Sequence, residues 1–354
     1  MVGILTFVDS PSYGASLQMC GLYHTLVSLG VDAEVIHYKN TFMAEKRHIK
    51  SSSKSGIRKI AAELLDSFRK AKFREFEQQL TVFPQRCLCE KDDLKEVAER
   101  YDFVICGSDQ VWNPDITGED LNYFLCFCDD AKRISYAASF GMEELPLTFS
   151  VKAKEELKRF SAISVREEQG ARIVSELLGS DCRIVLDPSM LVSRERWETM
   201  EKKLPGLPEK YIAKFIFNYD ENVEKRITEL SEKTNLPVVT VGGSILSKLK
   251  KGIYTGPIGP KEWLYVLNHA EHIVTDSFHG AAFSVIFQKD VYVSLASSTN
   301  SRLKTLVHTF SLEERVIGEG LSREEIDYRY IQRVMEEKRQ TSLDFLKCAL
   351  GIGD

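Results

Sequence analysis

The sequence has little cysteine, no surplus of positive charge and no long apolar run. Eight cysteines in 354 residues are too sparse for a disulfide scaffold. Lysine and arginine number 47 against 52 acidic residues, a formal charge of −5, so no global basic field draws the chain to nucleic acid. No uninterrupted apolar stretch approaches the ~20 residues of a membrane helix. A long one, residues 281–287, already contains Ser284. Residues 1–9 lack a basic leader and a small-residue cleavage site, and read as a first strand. The expectation is a cytoplasmic, reduced protein without internal repeats or low-complexity tracts. What is present is an ordinary globular composition, 43% hydrophobic, 28% charged and 10% aromatic. The length suits about two domains.

Short β-rich runs alternate with helical patterns, the mark of α/β units around parallel sheets. Strands are expected at 3–7, 33–38, 103–107, 134–140, 162–166 and 183–186, with helices at 16–29 and 168–178. After the Pro-Gly-Leu-Pro segment at 205–208, a second series follows at 211–217, 238–241, 272–275 and 291–295. One helix opens at Phe278 and another near Pro260. The expected organisation is an N-terminal doubly wound domain over 1–192, a linker over 193–208, a second such domain over 209–320 and a helical tail over 321–354. The two domains would face each other across a cleft. Residues 42–82 differ in character, with ten Lys/Arg between Lys46 and Arg74 and apolar residues at helical spacing. This basic amphipathic helix is expected to pack its apolar face on the domain. The alternative is approach to an anionic membrane or a lipid-linked acceptor through residues 57–80.

In doubly wound sheets, ligands bind beyond the carboxyl ends of the strands. Four junctions there carry unusual chemistry. In the first, Ser12, Tyr13, Gly14 and Gln18 precede or open a helix. Gly14 permits close approach, and Ser16 is placed to cap the helix. In the second, Ser108, Asp109, Gln110, Trp112 and Asn113 follow a core strand. Amides and carboxylates bond hydroxyls, and an indole face suits an apolar sugar face. The competing reading is a polar turn in which Asp109 caps a helix.

In the third, Ser277, Phe278, His279 and Gly280 lead a strand into a helix. The helix dipole there favours an anion and a neutral imidazole, which makes His279 the candidate proton-transfer residue. The fourth is dispersed: Arg166 ends a strand, and Arg302, near Asn300, follows another. Two guanidinium forks suit a ligand bearing phosphate and carboxylate, and the competing reading pairs Arg166 with Glu167 or Glu168. Gly242 and Gly243 lack the full dinucleotide fingerprint but suit a backbone wall. Cys87-Leu88-Cys89 and Cys126-Phe127-Cys128 lack the two-residue spacer of a zinc knuckle, so no metal is expected. Alternation makes 123–128 a strand.

The junctions resemble, in order, the polysaccharide pyruvyl transferase family. The matching segments are Tyr13-Gly14-Ala15-Ser16-Leu17-Gln18, Gly107-Ser108-Asp109-Gln110-Val111-Trp112-Asn113, Ser164-Val165-Arg166-Glu167, Leu186-Asp187-Pro188 and Asp276-Ser277-Phe278-His279-Gly280. The resemblance implies a GT-B-like pair of Rossmann-like domains. It also implies phosphoenolpyruvate as donor, a saccharide or lipid-linked oligosaccharide as acceptor, and a pyruvate ketal as product in exopolysaccharide biosynthesis. No cofactor or metal is implied. His279 would transfer protons, Arg166 and Arg302 would clamp the anion, and the polar residues at 12–18 and 108–113 would face the acceptor. The chain departs from the family pattern at Ser12, where many members carry Asn. It departs again at Ser277-Phe278, where some carry Arg-Leu. A nucleotide-sugar glycosyltransferase and a non-catalytic saccharide-binding protein are the alternatives on the same architecture.

Overall fold

A computed structural model describes residues 1–52, 57–89, 91–242, 252–295, 301–318 and 325–353. The chain forms two compact units. The first comprises Met1–Lys59, Glu77–Val192 and Glu337–Asp354, and the second Ile60–Phe76 and Ser193–Glu336. The segment after Val192 is not a bare linker: Ser193 caps the helix Arg194–Glu198 through its side chain, and Trp197 is fully buried. The basic helix Ile57–Glu77 lies largely within the second unit, where Lys72 pairs with Glu262 at 2.8 Å. Phe73 and Phe76 of this helix are buried, while Leu64 and Phe68 are exposed. The C-terminal helix Tyr328–Leu350 belongs to the first unit from residue 337 onward. There Ser342 Oγ accepts the Leu186 N–H at 3.0 Å, and Arg339 donates to the Met190 carbonyl at 2.6 Å. Among the described residues, no helix is long and apolar enough to cross a membrane.

The first unit is built on β1 (Val2–Leu5), β2 (Ala33–Tyr38), β3 (Val82–Leu88), β4 (Phe103–Cys106), β5 (Arg133–Ala138), β6 (Ala162–Val165) and β7 (Arg183–Ile184). They form one parallel sheet in the order β3-β2-β1-β4-β5-β6-β7. Helices cover both faces of such a sheet, so its central strands are continuously apolar rather than alternating, as in Val2-Gly3-Ile4-Leu5. The second unit holds β8 (Ile212–Phe215), β9 (Val238–Thr240), β10 (Ile253–Tyr254), β11 (His272–Thr275) and β12 (Asp290–Val293). These are also parallel, in the order β10-β9-β8-β11-β12. Both sheets are Rossmann-like. Strand order reverses between β1 and β4 in one, and between β8 and β11 in the other. These switch points are where crevices for ligands open.

Two edge strands, β3 and β10, escaped the sequence pattern. The first contains Pro84, Gln85 and Arg86, and the second has only two residues. The expected strand at 123–128 is absent. Asp120 caps a 3₁₀ turn over Leu121–Phe124, and Leu125 then adopts a left-handed φ of 57°. Tyr123, Phe124, Leu125, Phe127 and Cys128 are all buried, so the apparent alternation was really a run packed on every side.

Candidate active site

At the first switch point the polar side chains satisfy one another. Gln18 Nε2 donates to Thr6 Oγ1 at 2.9 Å and to the Ala15 carbonyl at 3.0 Å, while its Oε1 accepts the Ser108 N–H at 2.9 Å. Ser108 Oγ lies 2.9 Å from the Ala137 carbonyl and 3.2 Å from Asp187 Oδ2. Arg166 donates to Asp187 Oδ2 at 2.7 Å, and its second terminal nitrogen is 3.5 Å from Asp109 Oδ1. Ser189 binds the other Asp187 oxygen through N–H and hydroxyl. Glu167 instead accepts from Ser139 Oγ at 2.8 Å. Gly107, at φ 129°, carries the chain past the Tyr136 carbonyl, which a Cβ would meet at 2.2 Å.

This network corrects the sequence reading at several residues. The Arg166 side chain is 1% exposed. Burial disfavours its charge, but Asp187, Asp109 and Glu167 outweigh burial and hold its pKa above the usual value. Its terminal nitrogens face Asp187 and Asp109, the arrangement of a buried ion pair. Its role is to tie β6 to the segment after β7. Trp112 is fully buried, stacked on Phe124 at 5.1 Å, and its indole N–H donates to the Tyr123 carbonyl. It packs the core and offers no face to a sugar. Asn113, not Asp109, caps the short helix Pro114–Thr117, and Ser16 bonds Glu77 rather than capping. The first helix, Tyr13–Ser28, starts after Ser12, whose side chain makes no cap bond. Tyr13, Gly14, Gln18 and Ser108 are buried; Ser12 is exposed, and Asp109 and Gln110 are half-buried.

The second switch point has a different character. Thr275 Oγ1 donates to the Phe215 carbonyl at 2.8 Å and accepts the Ser277 N–H at 3.0 Å, locking β11 to β8. Asp276 then accepts from the Phe217 and Asn218 N–H groups at 2.8 and 2.9 Å, fixing the loop after β8. The helix Phe278–Ile286 begins here, with Ser277 Oγ accepting the Gly280 N–H at 3.3 Å. That bond consumes the amide expected to serve an anion. Gly280 is required sterically, since a Cβ would lie 2.3 Å from Thr275 Oγ1. His279 is the second helical residue, 7% exposed and edge-on to Phe278 at 5.1 Å. Arg302 lies half-buried in the first turn of the helix Ser301–Thr309. The Gly242 N–H donates to Thr255 Oγ1 at 2.8 Å, so this amide supports the sheet edge. Asn300 and Gly243 lie outside the described residues.

Two residues beside this site were missed. Phe217 and Tyr219, in the loop that Asp276 fixes, are 69% and 81% exposed. The signal was a Phe-Asn-Tyr-Asp run at a strand end, of which the expected strand 211–217 takes in only Phe217. Beyond this loop, Asp220 caps the helix Glu221–Thr234. A cavity of about 520 Å³ opens there, lined by Asp220, Arg226, Ser294 and Leu295 among others. Among the described residues, none of the expected site residues lines it.

The family model for polysaccharide pyruvyl transferase matches residues 13–296. No curated protein matches the chain. Among solved structures, the UDP-GlcNAc 2-epimerase of Methanocaldococcus jannaschii in complex with UDP-GlcNAc and UDP is similar at a TM-score of 0.54 and 12% identity, covering 99% of both chains. The Neisseria meningitidis UDP-GlcNAc 2-epimerase bound to UDP-GlcNAc gives 0.53 and 12%, over 99% of this chain and 94% of that one. A putative UDP-N-acetylglucosamine 2-epimerase from Listeria monocytogenes gives 0.54 and 10%, over 98% and 90%. At such identities the likeness is one of fold, the GT-B-like pair of Rossmann-like units.

Proposed function

The chain belongs to the polysaccharide pyruvyl transferase family, and from that premise we propose that it moves a pyruvyl group from phosphoenolpyruvate onto two hydroxyls of a saccharide. The donor's C3 takes a proton, one hydroxyl adds to C2, phosphate leaves, and the second hydroxyl closes the ketal. Of the two hydroxyl protons, one is balanced by the new C–H bond and the other leaves with phosphate. Such a sequence needs a group that gives and takes protons at one place, and neutral imidazole does both.

The observation that carries this reading is the position of His279. It is the second residue of a helix that starts where β11 ends, held by the Ser277 cap and the close Gly280–Thr275 contact. With the Gly280 amide taken by Ser277, it is the dipole of the helix that favours an anionic donor beside its start. Arg302 is the guanidinium assigned to the donor's phosphate or carboxylate. Arg166 is not, because its charge is committed to Asp187 and Asp109. Phe217 and Tyr219 supply exposed aromatic faces for a sugar ring. Incubation with phosphoenolpyruvate and a panel of glycans should release phosphate and add the mass of a pyruvyl ketal to one of them. Release of a nucleoside diphosphate from a nucleotide sugar, with no pyruvyl adduct, would overturn the reading.

A further inference from the structure

At the β3 edge of the first sheet, three side chains of types that ligate metals meet, and no spacing in the sequence suggests it. Asp9 lies in the loop after β1 at φ 51°, a left-handed conformation that Asp tolerates better than most residues. His37 belongs to β2 and Cys87 to β3. Ile36 pairs with Phe83 but Tyr38 with Leu88, so β3 spends five steps where β2 spends two. That bulge brings Cys87 level with His37. Tyr38 and Leu88 are buried, which turns the preceding residues, both half-buried, to the opposite face. His37 Nε2 and Asp9 Oδ2 are 2.9 Å apart, and one ligand atom each from Asp9, His37 and Cys87 lie within 4.8 Å of one another.

We propose that Asp9, His37 and Cys87 form a binding site for a borderline-soft divalent cation of the zinc type, with three protein ligands and a fourth position open to solvent. Carboxylate, imidazole and thiolate together are the donor set that such an ion prefers. Their combined charge of two negatives matches a dication. Tetrahedral ligand atoms stand roughly 3.3–3.6 Å apart around zinc. Closing from 4.8 Å requires about 1 Å of movement, which the exposed Asp9 side chain can make by rotation. Burial, Cys89 and Asp9 push the Cys87 thiol up to about 11, against the pull of Lys39. The metal-free thiol is therefore protonated at neutral pH, and binding must expel that proton. The site is independent of the pyruvyl-transfer reading and survives its failure.

The test uses the full chain, free of any affinity tag and stripped with chelator, titrated with Co²⁺ as a spectroscopic probe. The expected result is a thiolate-to-cobalt charge-transfer band with tetrahedral d–d bands, saturating at equimolar cobalt and bleached by Zn²⁺. Cys87→Ser should abolish the charge-transfer band. His37→Ala and Asp9→Asn should weaken binding by at least ~10-fold. Cys89→Ser should leave band and affinity unchanged. Far-UV circular dichroism of each variant in chelator establishes that it is folded. Absence of the band in the parent protein overturns the proposal, as does a band that persists in Cys87→Ser.

Discussion

At the first switch point, Gln18, Ser108, Arg166 and Asp187 spend their polar atoms on one another; at the second, Ser277 and Asp276 fix the backbone around a histidine and an aromatic loop. The topology is the same, with order reversing beside the first strand of each unit. The difference lies in what the polar residues leave over. In the first unit, carboxylates outnumber the guanidinium and the side chains are closed off from water. In the second, the Ser277 cap and the Asp276 clamp on the loop after β8 do the holding. Phe217 and Tyr219 remain exposed. Motif density along a chain therefore marks structure as readily as chemistry. In the Gly-Ser-Asp-Gln-Val-Trp-Asn segment, Ser108 and Trp112 donate to backbone carbonyls and Asn113 caps a helix.

The contrast can be broken by substitution. The largest effect belongs to the second unit: His279→Ala should lower pyruvyl transfer by about 10²–10⁴-fold, the usual contribution of a positioned acid–base group. Steady-state phosphate release measures it, and unchanged turnover removes His279 from the mechanism. Next comes the first unit, where Arg166→Ala removes the guanidinium that pairs with buried Asp187 at 2.7 Å. Denaturant unfolding should show a loss of about 3–5 kcal/mol. A variant of full stability that cannot use phosphoenolpyruvate would return Arg166 to the role of anion clamp. The smallest effect is at the loop after β8. Phe217→Ala should raise KM for the saccharide by up to about 10-fold, since a lost aromatic contact is worth ~0.5–1.5 kcal/mol. Stability should change by no more than about 0.5 kcal/mol, because the ring is largely in water. An unaltered KM would separate the aromatic loop from the acceptor.

Much of this architecture was legible because it rests on local signals. Short β-rich runs between helical periods located ten of the twelve strands among the described residues, and the apolar period after Thr275 placed His279 at a helix start. The Gly280 requirement is also local, since its neighbour Thr275 is five residues away. What escaped depends on contacts between distant residues. Arg166 meets Asp187, twenty-one positions on, and the nearer Glu167 turns to Ser139 instead. Trp112 sits among polar neighbours in the sequence yet stacks on Phe124 in the core. The grouping of Asp9, His37 and Cys87 needs three strands and a bulge before it exists. Spacing rules for zinc knuckles address ligands close in the chain, and these are not.

The central claim is that the proton reaching the donor's C3 passes through His279, and deuterium reports on it directly. Phosphoenolpyruvate and the acceptor glycan, turned over in deuterium oxide, should yield a singly deuterated ketal methyl with the parent enzyme, seen by mass spectrometry. His279→Ala, shown to be folded, should form almost no labelled product in the same time. Equal rates of labelled ketal from both proteins would contradict the account.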